Sequence, residues 1–198
     1  MRKRKTYRRD SDRRTEAPKQ EGNAHSLDPT KARERTLQRA VKLLAAKPRS
    51  EAELRERLLE KEWTNEEAVE AALARLREYG YLDDQRFAFG FASYRVRQKP
   101  IGRQRLARDL QLKKVSRETA DEALDLVFTE TSEEQLIDRA IEKRFRLRGR
   151  PASRAETKSL FDHLLRLGFP YDLVINRVRA AVASANFDTD ETGGPDED

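Results

Sequence analysis

Arg105 and Arg108 stand on the side of a helical wheel opposite Leu106 and Leu110, with Gln104 and Gln111 beside them. Arg95, Arg97 and Lys99 precede this face, and Lys113 and Lys114 continue it. A second cluster runs from Lys143 and Arg144 through Arg146 and Arg148 to Arg150, interleaved with Phe145 and Leu147. Guanidinium and ammonium groups at this density attract phosphates and carboxylates, but they do not by themselves make or break bonds. For a single residue among them, a solvated helix surface is the simpler reading. Two clusters in succession predict a basic track, so these cations are the candidate contacts for a partner protein or DNA.

Nothing in the chain points to catalysis. It has no Cys, which excludes a thiol nucleophile, a disulfide and a thiolate-held zinc. Of the two histidines, His25 sits in a polar stretch and His163 beside an apolar stripe, where a structural role is expected. There is no Gly-x-x-x-x-Gly-Lys cradle for phosphates and no metal-ligand spacing. The expectation is a protein that is not an enzyme and uses neither cofactor nor metal.

The elements that must position the cations are helical. Charged residues make up 39% and apolar ones 36%, with only 8 Gly, a balance that suits long helices better than a sheet sandwich. The net charge of +6 is unevenly spread, with +4 on residues 1–30 and −6 on 188–198, leaving +8 on the body. Residues 1–30 and 187–198 lack apolar periodicity and are expected to be disordered tails. The acidic one is a candidate screen for the basic track or a solubility device. No apolar run approaches the roughly 20 residues of a membrane span, and no apolar stretch follows the basic N-terminus. A soluble, cytoplasmic monomer is expected.

Helix starts punctuate the body. Ser50 with Glu53, Thr64 with Glu67, Ser132 with Gln135 and Ser153 with Glu156 have capping-box spacing, and Asp83 is placed to cap the next helix. Pro48, Pro100, Pro151 and Pro170 fall between periodic segments. Aligning Trp63, Val115 and Phe169 brings Leu54, Leu106 and Leu160 into one column, and Leu58, Leu110 and Leu164 into another. Downstream columns hold Ala68, Ala120 and Val174, then Ala72, Leu124 and Val178, then Leu76, Phe128 and Val182. A further amphipathic helix precedes each pair, near 33–46, 83–98 and 133–147. The prediction is an all-α, elongated array of three tandem three-helix repeats, at 31–80, 81–130 and 131–186. Phe87, Phe91 and Tyr94 should form the core stripe of the middle repeat, with Phe89 on the opposite side. Gly102 is read as relaxing the backbone after Pro100.

Each repeat is helix-turn-helix-like, which opens the alternative of a general DNA-binding or architectural protein. The third helices oppose base readout, since Glu66 and Glu67 in the first, and Glu118, Asp121 and Glu122 in the second, would be repelled by phosphates.

Tyr81-Leu82-Asp83-Asp84-Gln85-Arg86-Phe87-Ala88, followed by Phe91, Arg95, Lys99-Pro100, Gly102 and Arg105-Leu106, resembles the signature of the RecX family, bacterial regulators of the RecA recombinase. The resemblance extends from about residue 33 to 183. It implies tandem three-helix repeats that bind in the groove of RecA filaments on single-stranded DNA. It further implies inhibition of ATP hydrolysis and strand exchange, with filament growth blocked or disassembly promoted; double-stranded DNA is a separate candidate partner. At Leu112-Lys113-Lys114-Val115 the chain departs from the pattern, which more often has Lys-Gly before the apolar residue.

Overall fold

A computed structural model of the chain describes residues 28–187, which form nine α-helices and no strand. They are α1 (Pro29–Ala46), α2 (Glu51–Leu59), α3 (Glu66–Glu78), α4 (Asp84–Gln98), α5 (Arg103–Leu112), α6 (Arg117–Glu130), α7 (Glu133–Arg148), α8 (Arg154–Arg166) and α9 (Tyr171–Phe187). Within each successive set of three, every helix packs on the other two. The expected all-α array of three-helix units is what the chain forms. Apart from residues 28–30 and 187, the expected tails lie outside the described residues. Asp28 caps α1, and Pro29 stands in its first turn.

Ser50, Asp83, Ser116, Ser132 and Ser153 each cap the following helix through a side-chain oxygen. Among the expected boxes only Ser153 and Glu156 close both halves. Thr64 is not a cap. Asn65 takes that role, accepting the Ala68 N–H at 2.8 Å, while the Thr64 hydroxyl pairs with that of Thr36. The turn of the first unit is therefore one residue longer. Leu58 stands eight positions before the first residue of α3, against seven from Leu110 to α6 and from Leu164 to α9. Val69 and Leu73, rather than Ala68 and Ala72, thus match Ala120 and Leu124. All of them are buried, because the face of α3 is wide enough to hide the slip. Trp63 stays partly exposed, whereas Val115 and Phe169 are in the core.

Leu54, Leu58, Val69, Leu73, Leu76 and Leu82 form a core belonging to the first unit. The second and third units share one continuous core. In α4 the buried face is Ala88, Ala92, Ser93 and Val96, which corrects the expected aromatic stripe. Small side chains let α4 approach the Ala120, Ala123, Leu124 and Val127 face of α6, where rings would hold the axes apart. Phe87 and Phe91 stack at the margin with centroids 6.1 Å apart, and Tyr94 is 60% exposed. Phe89 is half-buried against the same core.

Successive units meet twice through one arrangement. At the second joint, the turn after α8 offers the Leu167 and Gly168 carbonyls to the N–H groups of Gly102 (2.9 Å) and Gln104 (3.2 Å), at the start of α5. Glu133, the first residue of α7, accepts the Arg103 N–H at 2.7 Å. At the first joint, the Lys113 carbonyl after α5 accepts the Ser50 hydroxyl, and Asp84, the first residue of α4, accepts the Glu51 N–H at 2.8 Å. Each unit thereby satisfies the orphan donors at the second helix of the unit before it.

The two joints differ in how closely backbones approach. Gly102 has an ordinary φ of −84°, so its expected role as a relaxed backbone position is not the reason for a glycine there. A Cβ on Gly102 would overlap the Gly168 carbonyl, and one on Gly168 (φ +89°) would overlap the backbone of Arg105. At the first joint the matching positions are Ser50 and Lys114. Lys114 holds φ at 60°, in the left-handed region that costs an L-residue about 1–2 kcal/mol. Its ammonium pairs with Glu56, and that of Lys113 lies 3.4 Å from Glu53.

Neither end of the array repeats the joint. The Lys61 carbonyl, counterpart of those of Lys113 and Leu167, accepts the N–H of Thr64 at 3.1 Å within its own lengthened turn. At the other end, α8 begins six residues before Leu160, whereas α2 and α5 begin three before Leu54 and Leu106. The start of α8 is satisfied within its own unit, where Glu156 accepts the N–H groups of Ala152 and Ser153. Atypical, self-satisfied ends of this kind close a stacked array.

Two expectations test the joints. Replacing Gly102 or Gly168 with Ala should lower the urea unfolding free energy by about 2–4 kcal/mol, since the backbones must separate. Burial also raises the pKa of Asp84 and Glu133 above the ordinary 3.8 and 4.5, despite the hydrogen bonds from Glu51 and Arg103 that favour the charged forms. A raised carboxyl pKa contributes stability below its ordinary value and loses it as pH rises through the folded value. The wild type should therefore gain on an Asp84→Asn, Glu133→Gln variant as pH falls from 7 toward 4. An offset in urea midpoint that does not change with pH would show that these acids titrate normally.

Candidate partner-binding surface

Position decides which of the cations are available. Arg95, near the end of α4, is half-buried and pairs with Asp109 of α5 at 2.5 Å. Asp109 is buried, and its other oxygen lies 3.2 Å from Arg105 one turn earlier. The Nε of Arg95 has no hydrogen-bond partner among the described residues. This triad ties α4 to α5, so Arg95 and Arg105 are committed to the fold. Lys113 and Lys114 are committed in the same sense, at the first joint.

Arg97, Lys99 and Arg108 are different. All three are exposed and form no ion pair among the described residues. The Arg97 and Arg108 guanidiniums each donate only to a backbone carbonyl one turn earlier, that of Ser93 or Gln104. Lys143, Arg146 and Arg148 of α7 are likewise exposed and form no ion pair among the described residues. Arg144 lies over α8, donating to the Ser159 hydroxyl at 3.1 Å, and Arg150 sits 6.0 Å from the Phe145 ring. The end of α7 corresponds to the end of α4, so free cations recur at one place in consecutive units. A helix C-terminus favours positive charge there, which accounts for part of the pattern.

His163 of α8 reports the field of the second cluster. Partial burial, followed by Arg144, Arg166 and Arg148, lowers its pKa, so the imidazole is neutral at pH 7. The described residues hold no group of acids or histidines suited to a metal, and no helix among them is long and apolar enough to cross a membrane. Sequence reasoning missed a third basic group. Arg35, Gln38, Arg39 and Lys42 share one face of α1 and, with Lys61, surround Trp63. Their i, i+3, i+4 and i+7 spacing was the available signal.

The descriptions of the first and second RecX three-helix domains match residues 37–76 and 83–124. A regulatory protein RecX of Streptomyces coelicolor is 31% identical over 153 residues, spanning 77% of this chain and 80% of that protein. The chain belongs to the RecX family. A regulatory protein RecX of Treponema pallidum is 39% identical over 104 residues, covering 52% of this chain and 63% of the relative. The crystal structure of RecX from Lactobacillus salivarius superposes with a TM-score of 0.68 at 17% identity, covering 78% of this chain and 99% of that one. That likeness speaks to the fold, and it matches the all-helical array described above. The relatives from Streptomyces coelicolor and Treponema pallidum are both named regulatory proteins.

Within this RecX chain the division between structural and free cations is testable. Asp109→Ala should cost about 2–3 kcal/mol, because it leaves Arg95 and Arg105 facing each other with the carboxylate gone. Arg97→Ala and Arg108→Ala should stay within about 0.5 kcal/mol of wild type in the same urea titration.

Proposed function

We propose that the chain regulates RecA by binding along RecA filaments on single-stranded DNA, inhibiting ATP hydrolysis, strand exchange and filament growth without catalysing a reaction itself. The observation that supports this most is the recurrence of free cations at matching places in two consecutive units, Arg97 and Lys99 at the end of α4 and Arg146 and Arg148 at the end of α7. A partner that repeats its own anionic surface is engaged several times by such an array. Individually weak contacts then add through effective concentration. Lys143 and Arg108 extend the same surface, while Arg95, Arg105, Lys113 and Lys114 hold the frame in shape. The phosphates of DNA in such a filament carry the negative charge these residues seek.

Adding the protein to RecA on single-stranded DNA should suppress ATP hydrolysis at less than one molecule per RecA subunit. Charge reversal at Arg97, Arg108, Arg146 and Arg148 should raise the concentration needed for half-inhibition at least tenfold while leaving the helical circular dichroism unchanged. Full hydrolysis and strand exchange at saturating wild-type protein would overturn the reading.

A further inference from the structure

The turn between α2 and α3 occupies the place that, in the other two units, docks on the preceding unit. Here no unit precedes it among the described residues, and a pocket of about 460 Å³ opens between this turn and α1. The volume lies within the roughly 300–1,000 Å³ of ligand sites. Arg35, Arg39, Lys42 and Lys61 line it, together with Gln38, Leu43 and Trp63. No carboxylate is in the lining, and none of the four cations has an ion pair among the described residues. The contrast with the opposite side of the same unit is sharp, where Arg33 pairs with Glu67, and Arg55 with Glu66.

Two further features narrow the ligand. Arg39, half-buried in the lining, has an Nε that is shut off from solvent and has no hydrogen-bond partner among the described residues, so its charge is little compensated by the protein. A phosphate in the pocket answers the charge of Arg39 and of the three other cations that line it. The Arg35 guanidinium carbon lies over the Trp63 ring, 4.4 Å from its centroid. Nucleobases stack on both kinds of surface. An acidic peptide would satisfy the cations but leave this platform unused.

We infer that the pocket of Arg35, Arg39, Lys42, Lys61 and Trp63 is a binding site for single-stranded nucleic acid. A phosphodiester lies among Arg39, Lys42 and Lys61, and a base lies on the Arg35–Trp63 stack. Recognition is independent of sequence, because every base has a flat face and the cations read only the backbone. The identity of the strand as the DNA of a recombinase filament rests on the function proposed above, while the pocket's chemistry does not. It places a contact on the first unit, beyond the cations of α4, α5 and α7.

Trp63 is the only tryptophan of the chain, so its emission reports this pocket alone. Titrating the full chain with (dT)15 at low salt should change Trp63 fluorescence saturably, and raising the salt should weaken binding. The one phosphodiester placed here contributes about −0.7 to the slope of log affinity against log salt, which Lys42→Gln should make shallower. Arg39→Gln and Lys42→Gln should each weaken binding at least fivefold; Lys42 is exposed, so its variant keeps the test valid should Arg39→Gln disturb folding. Trp63 emission that stays constant while anisotropy of labelled (dT)15 shows saturated binding would overturn the site. An equal response to poly-glutamate would overturn its assignment to nucleic acid. A responsive Trp63 with uninhibited RecA hydrolysis refutes the filament reading and keeps the pocket. Inhibition with a silent Trp63 does the reverse.

Discussion

The fold depends on one contact made twice, a turn carbonyl and a first-turn carboxylate offered to the unsatisfied N-terminus of a neighbouring helix. Short helices such as α2 and α5 expose several N–H groups at their starts, and a buried donor without a partner is costly. In each of the two joints those donors face the next unit instead of water. Stacking is thus enforced by polar satisfaction as much as by apolar burial. The carboxylates of Asp84 and Glu133 give the contact its direction, since they approach the positive end of the helix dipole.

The same contact is built in two strengths. At the second joint glycines at 102 and 168 let backbone meet backbone, and the apolar core runs through without a break. At the first joint Ser50 and Lys114 hold the same places. A hydroxyl bridges the gap, Lys114 keeps a left-handed backbone without being glycine, and the cores on either side remain separate. The second and third units therefore form the more tightly unified pair. The first is attached by polar groups and surface ion pairs, which are individually weak.

Charge follows the same logic. Cations needed to hold helices together, Arg95 and Arg105 on Asp109, and Lys113 and Lys114 on Glu53 and Glu56, spend their charge internally. Arg97 and Lys99 at the end of α4, Arg146 and Arg148 at the end of α7, and the cations around Trp63 form no ion pair among the described residues. In sequence both kinds look alike, since Arg95 and Arg97 stand two residues apart on one helix. Their azimuths differ by about 200° on a 100°-per-residue wheel, and only one of them faces α5.

The repeat was legible because apolar residues recur at helical spacing and Ser or Asp stands before six of the nine helices described; these are local properties that any neighbour must accommodate. The caps at Ser50, Asp83, Ser132 and Ser153 and the proline boundaries appear in the structure where the sequence placed them. Where the reading slipped, it did so for non-local reasons. The one-residue insertion before α3 was invisible because both Ala68 and Val69 are apolar. The aromatic stripe of α4 was displaced by alanines because helix–helix distance, not hydrophobicity alone, selects the buried face. Gly102 was assigned to backbone freedom when the crowding of another turn 66 residues away is what excludes a side chain. The sequence by itself thus determined the helices, their grouping in threes and the family. Which cations are spent, which glycines are required and where the array ends were decided by tertiary structure, because each depends on a partner distant in the chain.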